Sequence, residues 1–426
     1  MLTAVLSPLS PQPPLSWPVV EALTMPAGQD LLEAATGALA SGAELALGAR
    51  LRAAGHPPEL VAAAFTQAEL RARAAAKFSR AAEMFFTRDG LEQASSEAAA
   101  RHRATRFQSL GRLADLCTGI GGDLLALTAT HDVLAVDRDP THLRMACHNA
   151  GVHNAGVHGA ADRNAGDVDG RCDDVQNVDL GGVHGVFVDP ARRTGAGRLA
   201  AGACTPPLAW CFGLTDTVAA VVVKAAPGLP LHLVPPGWEV EFVADRRDLK
   251  EAVLFSPALA TVRRRASVLL GGLPGTVATL TGDPDLGPLP VGEPAGYLYD
   301  PSPAVTRAGL VGELGRGLDA RQIDPRIAFL TCDGSRPTPF ARVLRVEHSL
   351  PFDVRSLARL LRTAGVGAVD VRRRGLAGDV EVIRRRLLPR GRDLVPGGPA
   401  VTVVMTRHAE RPWALVCTDP TGVSLP

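Results

Sequence analysis

Residues 113–127, LADLCTGIGGDLLAL, read as a hydrophobic strand, a glycine turn and the start of a helix, and VLAVDRDP at 133–140 reads as a second strand ending in an acid. Gly119, Gly121 and Gly122 permit positive φ and a close approach of backbone to a bound group, while a helix opening near Asp123 presents unpaired N–H groups. Asp137 at the end of the second strand is placed to accept the two hydroxyls of a ribose. A dinucleotide site would read G-x-G-x-x-G and set a pyrophosphate on the helix N-terminus. Here the turn is Cys117-Thr118-Gly119-Ile120-Gly121-Gly122-Asp123, flanked by Asp115 and Asp123. Two acids suit a cationic amino-acid group better than a pyrophosphate, so the expected ligand is an adenosine cofactor of another kind.

Further strand ends carry side chains fit for chemistry. GVFVDPARRTGAGR (185–198) ends a strand in Asp189-Pro190-Ala191-Arg192. Asp189 can accept a hydrogen bond from an attacking N–H or O–H, and the rigid proline fixes backbone carbonyls that share the task. Arg171-Cys172-Asp173-Asp174 ends the strand before it; Asp174 is the expected acceptor for an adenine amino group, with Asp167 as its rival. Lys224 closes AAVVVKAAPGLP. An ammonium there lowers the pKa of a substrate hydroxyl or orients a phosphate, or else is a snorkelling strand-end residue. Lys250-Glu251 are expected in the turn before VLF.

A sheet must hold these ends. Strands are expected near 112–116, 133–137, 168–172, 184–189, 219–224, 239–244 and 265–270, alternating with helices in an α/β arrangement whose ligands lie at the carboxyl ends of the strands. Residues 29–108 read as helices: Leu70, Ala74, Phe78, Ala81 and Phe85 recur at steps of three and four as one buried face, with Arg73, Lys77 and Arg80 beside it. That basic stripe fits a solvated face or a contact with nucleic acid. His148, His153 and His158 fall in a repeated NAGVH, read as a loop over 148–166, and steps of five turn away from any common face, so no metal site is expected. Residues 271–296 read as a linker. Beyond it a helix near 303–318, strands at 341–347, 367–372, 400–406 and 413–417, and helices at 353–364 and 379–388 capped by Asp353 and Asp379 make a second α/β domain. The expected parts are an N-terminal helical module (18–108), a cofactor domain (109–272) and a positioning domain (290–420).

A chain of 426 residues that is 46% hydrophobic fits two or three domains with real cores. From Phe340 onward 15 arginines face 8 acidic residues, a net +7, and the remainder is net −6. The basic part is a candidate polyanion face and equally a solvated arginine-rich surface. Lysines number three, Lys77, Lys224 and Lys250, so each one is worth examining. Seven cysteines without a C-x-x-C indicate neither a zinc site nor a disulfide framework and fit a reducing cytoplasm. The proline-broken N-terminus lacks a positive n-region, and no apolar run approaches membrane-spanning length, so a soluble cytoplasmic protein is expected.

The glycine turn resembles motif I of the class I S-adenosylmethionine methyltransferases. Nearly the whole chain resembles the bacterial members of that class that carry a C-terminal THUMP-like domain, through LEQASSEAAARHRATRF (91–107), DLCTGIGGD (115–123), AVDRDP (135–140), VFVDPARR (186–193), VVVKAAPG (221–228), DLKEAVLF (248–255), YLYDPSPAV (297–305) and DVRRRGLAGDVEVIRRRL (370–387). The resemblance implies a Rossmann-like seven-stranded domain that binds S-adenosylmethionine. It implies that the Asp189 strand end faces the transferable methyl, and that the substrate is tRNA or rRNA.

Motif I is also similar to that of guanine N2 methyltransferases, which end the fourth strand in Pro-Pro-Trp and stack the tryptophan on the base. Here Ala191-Arg192 follow Pro190, and Arg192 can stack through its guanidinium plane. DPAR also resembles the DPPR of uracil carbon-5 methyltransferases, but their nucleophilic cysteine is replaced by Ala225-Ala226-Pro227, which excludes that chemistry. Asp189, Lys224 and Glu251, with Lys77, resemble the Lys-Asp-Lys-Glu tetrad of ribose 2′-O-methyltransferases. Base-amine methylation is the leading reading; ribose methylation, an RNA-binding protein with an inactive cofactor domain and a small-molecule methyltransferase are the alternatives.

Overall fold

The computed structural model describes residues 15–158, 166–191, 193–194, 197–198, 202–271, 275–376, 378–387 and 394–421. The chain divides into two compact units: residues up to Ala225 with Phe255–Leu259, and Ala226–Leu254, Ala260–Gly271 and the chain from Thr276 on.

In the first unit, helices α1 (Trp17–Thr24), α2 (Pro26–Ser41), α3 (Glu44–Ala53), α4 (Pro58–Ala74), α5 (Arg88–Gln93) and α6 (Glu97–Ala104) precede strands β1 (Leu113–Leu116), β2 (Val133–Asp137), β3 (Val168–Cys172), β4 (Gly185–Val188) and β5 (Ala220–Ala225). These five strands lie in the order β3-β2-β1-β4-β5, with β1–β2, β1–β4, β2–β3 and β4–β5 parallel. Every residue of β1, β4 and β5 is buried, the pattern of parallel strands covered on both faces, whereas the edge strand β3 is largely exposed. The chain leaves β1 toward β2 and β3 and returns to β4 on the other side of β1. That reversal opens a crevice at the carboxyl ends of β1 and β4, where open α/β sheets bind ligands.

The expected face Leu70, Ala74, Phe78, Ala81 and Phe85 is buried throughout, but α4 ends at Ala74 and the last three lie beyond it, outside any helix. Burial followed the apolar spacing; the helix did not continue, and Lys77 N and Ala81 N make three-residue bonds back to Ala74 O and Phe78 O. The NAGVH repeat, expected in a loop, forms the end of α7 (Pro140–His158). His153 is buried there, and no metal-ligating group of three or more His, Cys, Asp or Glu occurs among the described residues.

Glu97, 1% exposed, opens α6 and binds this helical layer together. Its Oε2 accepts from Ser79 N and Oγ, both at 2.8 Å, and its Oε1 lies 2.7 Å from Arg101 and 3.5 Å from His153. Burial alone would raise this carboxyl, but His153, Ser79 and Arg101 together bring it down to about 2. A depressed acid stabilises the fold above its unfolded pKa and loses that contribution as pH falls through the folded value. Glu97 is therefore expected to contribute about 3 kcal/mol at neutral pH that disappears between pH 4.5 and about 2. Urea titrations of Glu97→Gln should show lower stability at pH 7 and a flatter acid limb; an unchanged limb would refute the assignment.

The second unit starts with β6 (Glu239–Asp245), β7 (Asp248–Phe255), β8 (Arg264–Leu269) and β9 (Val277–Gly282), ordered β7-β6-β8-β9, with β8 parallel to β6 and antiparallel to β9. Two expectations fail here. Lys250 and Glu251 lie within β7, not in a turn, because Arg246-Arg247 already makes the reversal, with Arg246 at φ 52°. The supposed linker contains β9, whose VATLTG alternation is masked in sequence by the glycines and prolines around it.

The rest of this unit is a second sheet of β10 (Tyr297–Pro301), β11 (Arg321–Gln322), β12 (Leu330–Cys332), β13 (Ala341–Pro351), β14 (Ala368–Arg373), β15 (Ala400–His408) and β16 (Arg411–Thr418). Its order is β11-β12-β10-β13-β16-β15-β14. One helix was expected near 303–318; Gly309, at φ 76°, instead ends one helix and a second follows, Pro303–Ala308 and Val311–Leu318. Asp353 and Asp379 cap their helices as expected, accepting from Ser356 N at 2.7 Å and from Glu381 N and Val382 N at 2.8 and 3.0 Å. The helices Val354–Thr363 and Val380–Leu387 bury Leu357, Leu361, Ile383 and Leu387 against Val371, Val401, Val403, Met405 and Val416.

Candidate active site

At the carboxyl ends of β1, β2 and β4 lies a cavity of about 340 Å³ in the first unit. Cys117, Thr118, Gly119, Ile120, Gly122 and Asp123 line it from the glycine turn, Asp137 to Asp139 from the end of β2, Asp173 to Gln176 from beyond β3, and Asp189 to Ala191 from beyond β4. Backbone geometry explains the turn. Cys117 and Gly119 take φ of 62° and 57°, and a Cβ on Gly119 would meet nothing within 4 Å, so the glycine is needed for its conformation and leaves open space beside it.

Asp137 is the latch of this turn. Its Oδ2 accepts from Gly119 N at 2.8 Å and its Oδ1 from Asp139 N at 2.9 Å. Each carboxylate oxygen holds one backbone N–H and keeps a further lone pair for a ligand hydroxyl. Asp174 lines the cavity and accepts from Gln176 N at 3.0 Å, whereas Asp167 lies before β3, its carbonyl bonded to Val133 N. Of the two rivals for the adenine end, Asp174 is the one at the cavity.

Two expected cofactor residues sit behind the wall. Gly121 does not line the cavity; at φ 88°, its missing side chain makes room for Ala146 of α7, which a Cβ would meet at 3.0 Å. Asp115, 1% exposed, is enclosed in β1, and its Oδ2 has no hydrogen-bond partner. Burial, with the neighbouring Asp123 and Asp189 charges, pushes this carboxyl well above the usual range. The Cys117 thiol is likewise pushed up by burial and by Asp137 and Asp189, so it is no thiolate nucleophile.

Asp189 and Lys224 form a pair. Lys224, at 3% exposure, reaches from β5 and donates to Asp189 Oδ2 at 2.6 Å, and Asp189, at 26%, presents its other face to the cavity. The backbone beyond is pinned by Ala191 N to Thr205 O at 2.8 Å and Thr205 N to Ala191 O at 2.9 Å, and Pro190 lines the cavity beside Asp189. Arg192 lies outside the described residues. Lys77 is not part of this group: its Nζ donates to the carbonyls of Leu91, Ala94 and Glu92 at 2.7, 3.0 and 3.3 Å, closing the end of α5.

Ser95 and Arg103 belong to the site and were not singled out in the sequence. Arg103, 2% exposed, donates Nε to Asp123 Oδ1 at 2.9 Å, and Ser95 Oγ donates to Asp123 Oδ2 at 2.7 Å. Burial would raise Asp123, but the charges of Arg103 and Lys224 and the Ser95 and Arg103 hydrogen bonds hold it below the usual carboxylate range. Asp123, expected to serve a cationic ligand group, is thus already neutralised from within the protein. A signal was available: Ala99, Ala100, Arg103 and Phe107 share one buried helical stripe, and an arginine on such a stripe implies a buried carboxylate partner.

No helix among the described residues is long and apolar enough to cross a membrane. Residues 341–419 match the THUMP domain-like family, and residues 17–74 match a domain of unknown function (DUF8688). Two proteins from different strains of Mycobacterium tuberculosis, each named an uncharacterized S-adenosylmethionine-dependent methyltransferase, are 36% identical to this chain over 343 residues, 76% of it and 87% of each of them. A crystal structure of a protein assigned as a methyltransferase from Porphyromonas gingivalis superposes with a TM-score of 0.69 at 21% identity, covering 86% of this chain and 92% of that one. The chain belongs to the S-adenosylmethionine-dependent class I methyltransferases that carry a C-terminal THUMP-like domain, and it is a methyltransferase with S-adenosylmethionine as its cofactor.

Proposed function

We propose that the chain methylates a base amine, of the guanine type, in tRNA or rRNA. We assign residues 18–108 to a helical part, 109–272 to cofactor binding and 290–420 to positioning RNA. The cofactor supplies an electrophilic methyl on a sulfonium. Its ribose is assigned to Asp137, its adenine to Asp174, and its amino-acid end to the turn at Cys117, Gly119 and Gly122, with Asp115 and Gly121 supporting that turn from behind.

The observation that carries the reading is the 2.6 Å contact between Lys224 and Asp189. A carboxylate held in place by a buried ammonium keeps further lone pairs with which to accept hydrogen bonds from a substrate. An exocyclic amine needs no strong base: Asp189 and the Pro190 carbonyl accept its N–H groups, its lone pair is aimed at the methyl, and the proton of the resulting N-methyl cation is released to water after transfer. A ribose hydroxyl must lose a proton of high pKa, and the tetrad that does so lacks its fourth member here, since Lys77 closes a helix end.

RNA is supported by the THUMP-like match and by the exposed guanidinium groups of Arg384, Arg385 and Arg386 on the helix Val380–Leu387. Arg385→Glu/Arg386→Glu should weaken binding to unmodified tRNA and reduce the log–log salt slope by about 1.5 to 2. Filter binding across a salt series tests this, and a slope equal to that of the unmodified protein contradicts it.

A further inference from the structure

Ser95 has a hydroxyl with one hydrogen and two lone pairs, and three partners within reach. It donates to Asp123 Oδ2 at 2.7 Å and accepts from Arg103 Nη2 at 2.7 Å and from Lys224 Nζ at 3.0 Å. Asp123 is acceptor-only when ionised, and Arg103 and Lys224 are donors-only, so the hydroxyl orientation is fixed by its neighbours and its capacity is filled. Arg103 is itself held by a second bond to Asp123 and lies over the Phe187 ring of β4 at 5.6 Å, two residues before Asp189. Lys224 stands between two carboxylates: Asp189, which it touches, and Asp123, whose ionisation its charge favours.

We infer that Ser95 is a positioning residue: its hydroxyl holds the Lys224 ammonium on Asp189, and so sets the direction in which Asp189 meets the substrate. A lysine carries four flexible carbon–carbon bonds and no geometric preference among acceptors. Without the hydroxyl, the ammonium loses one of its acceptors and Asp123 loses one of its donors, so the balance that holds Lys224 on Asp189 changes. Asp189 then loses a fixed counter-charge and a fixed rotamer. The bond from Gly119 N to Asp137, which fixes the other side of the glycine turn, does not involve Ser95. The inference rests on the reading of Asp189 as the group that meets the substrate, not on which RNA is used.

The chain has three lysines, which makes a direct test practical. In full-length protein labelled with ¹⁵N-lysine, the Lys224 ammonium resonance is assigned by its loss in Lys224→Met. Ser95→Ala should shift or broaden that resonance while Lys77 and Lys250 stay in place, and Ser95→Cys, which keeps the volume but bonds weakly, should do the same if the alanine variant folds poorly. In single-turnover methyl transfer, Ser95→Ala should cost about tenfold in rate with cofactor Kd within threefold, and less than twofold in the Lys224→Met background. An unmoved Lys224 resonance, or an equal loss in both backgrounds, overturns the inference. Failure of the unmodified protein to label any RNA counts against the RNA reading alone, because the resonance decides this one by itself.

Discussion

Lys224→Met is expected to slow methyl transfer by about 10²-fold without abolishing it, and to leave cofactor Kd within threefold. The substitution keeps most of the side-chain volume and removes the charge that sits 2.6 Å from Asp189. Asp189 loses its fixed counter-charge, so the geometry of the attacking group is broadened; orientation and proton handling of this kind are worth about 10² to 10⁴ in rate. The lower end of that range is expected because an amine needs only to be aimed. A hydroxyl substrate would lose the group that helps it shed its proton, and the rate would fall by more than about 10⁴. Stability should fall as well, by about 3 kcal/mol, since Asp123 and Asp189 lose one of their two neighbouring cations. Single-turnover rates with thermal unfolding alongside separate the two effects, and a near-normal rate would remove Lys224 from the mechanism.

Asp137→Ala should raise the Kd for S-adenosylhomocysteine by about 10²-fold, measured by calorimetry. The carboxylate does two things. It holds Gly119 N and Asp139 N, at 2.8 and 2.9 Å, which fixes the glycine turn, and its remaining lone pairs face the cavity where a ribose is assigned. Charge-assisted hydrogen bonds contribute about 1.5 to 3 kcal/mol each, so losing the ribose contacts and loosening the turn accounts for a hundredfold. Asp137→Asn, which retains acceptor oxygen on one side, should fall between the two. A change under tenfold for the alanine would contradict the assignment.

Much of this site was legible in the sequence because strand-turn-helix signals are local. The glycine turn, Asp137 and Asp189 all lie where a strand's last buried residue meets its turn, and each falls at the cavity. Gly121 shows the limit of that reasoning: its positive φ was foreseen, but its open side faces Ala146 on another helix, a contact that no local pattern records. Lys77 shows the same limit, since what holds it are carbonyls 14 to 17 residues away in sequence. Ser95 and Arg103 escaped notice because their partner, Asp123, comes from a different element. Strand β9 and the short strands β11 and β12 were missed where glycine and proline on either side outweighed a brief alternation. Phe78 and Phe85 mark the reverse case, in which apolar spacing gave burial correctly while the backbone had already left the helix at Ala74.

The central claim is amine methylation of RNA at Asp189. The purified protein, incubated with methyl-labelled S-adenosylmethionine and unmodified total RNA, followed by digestion to nucleosides and mass spectrometry, tests it most directly. The account predicts label in a base-methylated guanosine, lost in Asp189→Ala. Label in a 2′-O-methylated nucleoside, or no labelled nucleoside from a protein that still binds the cofactor, would contradict it.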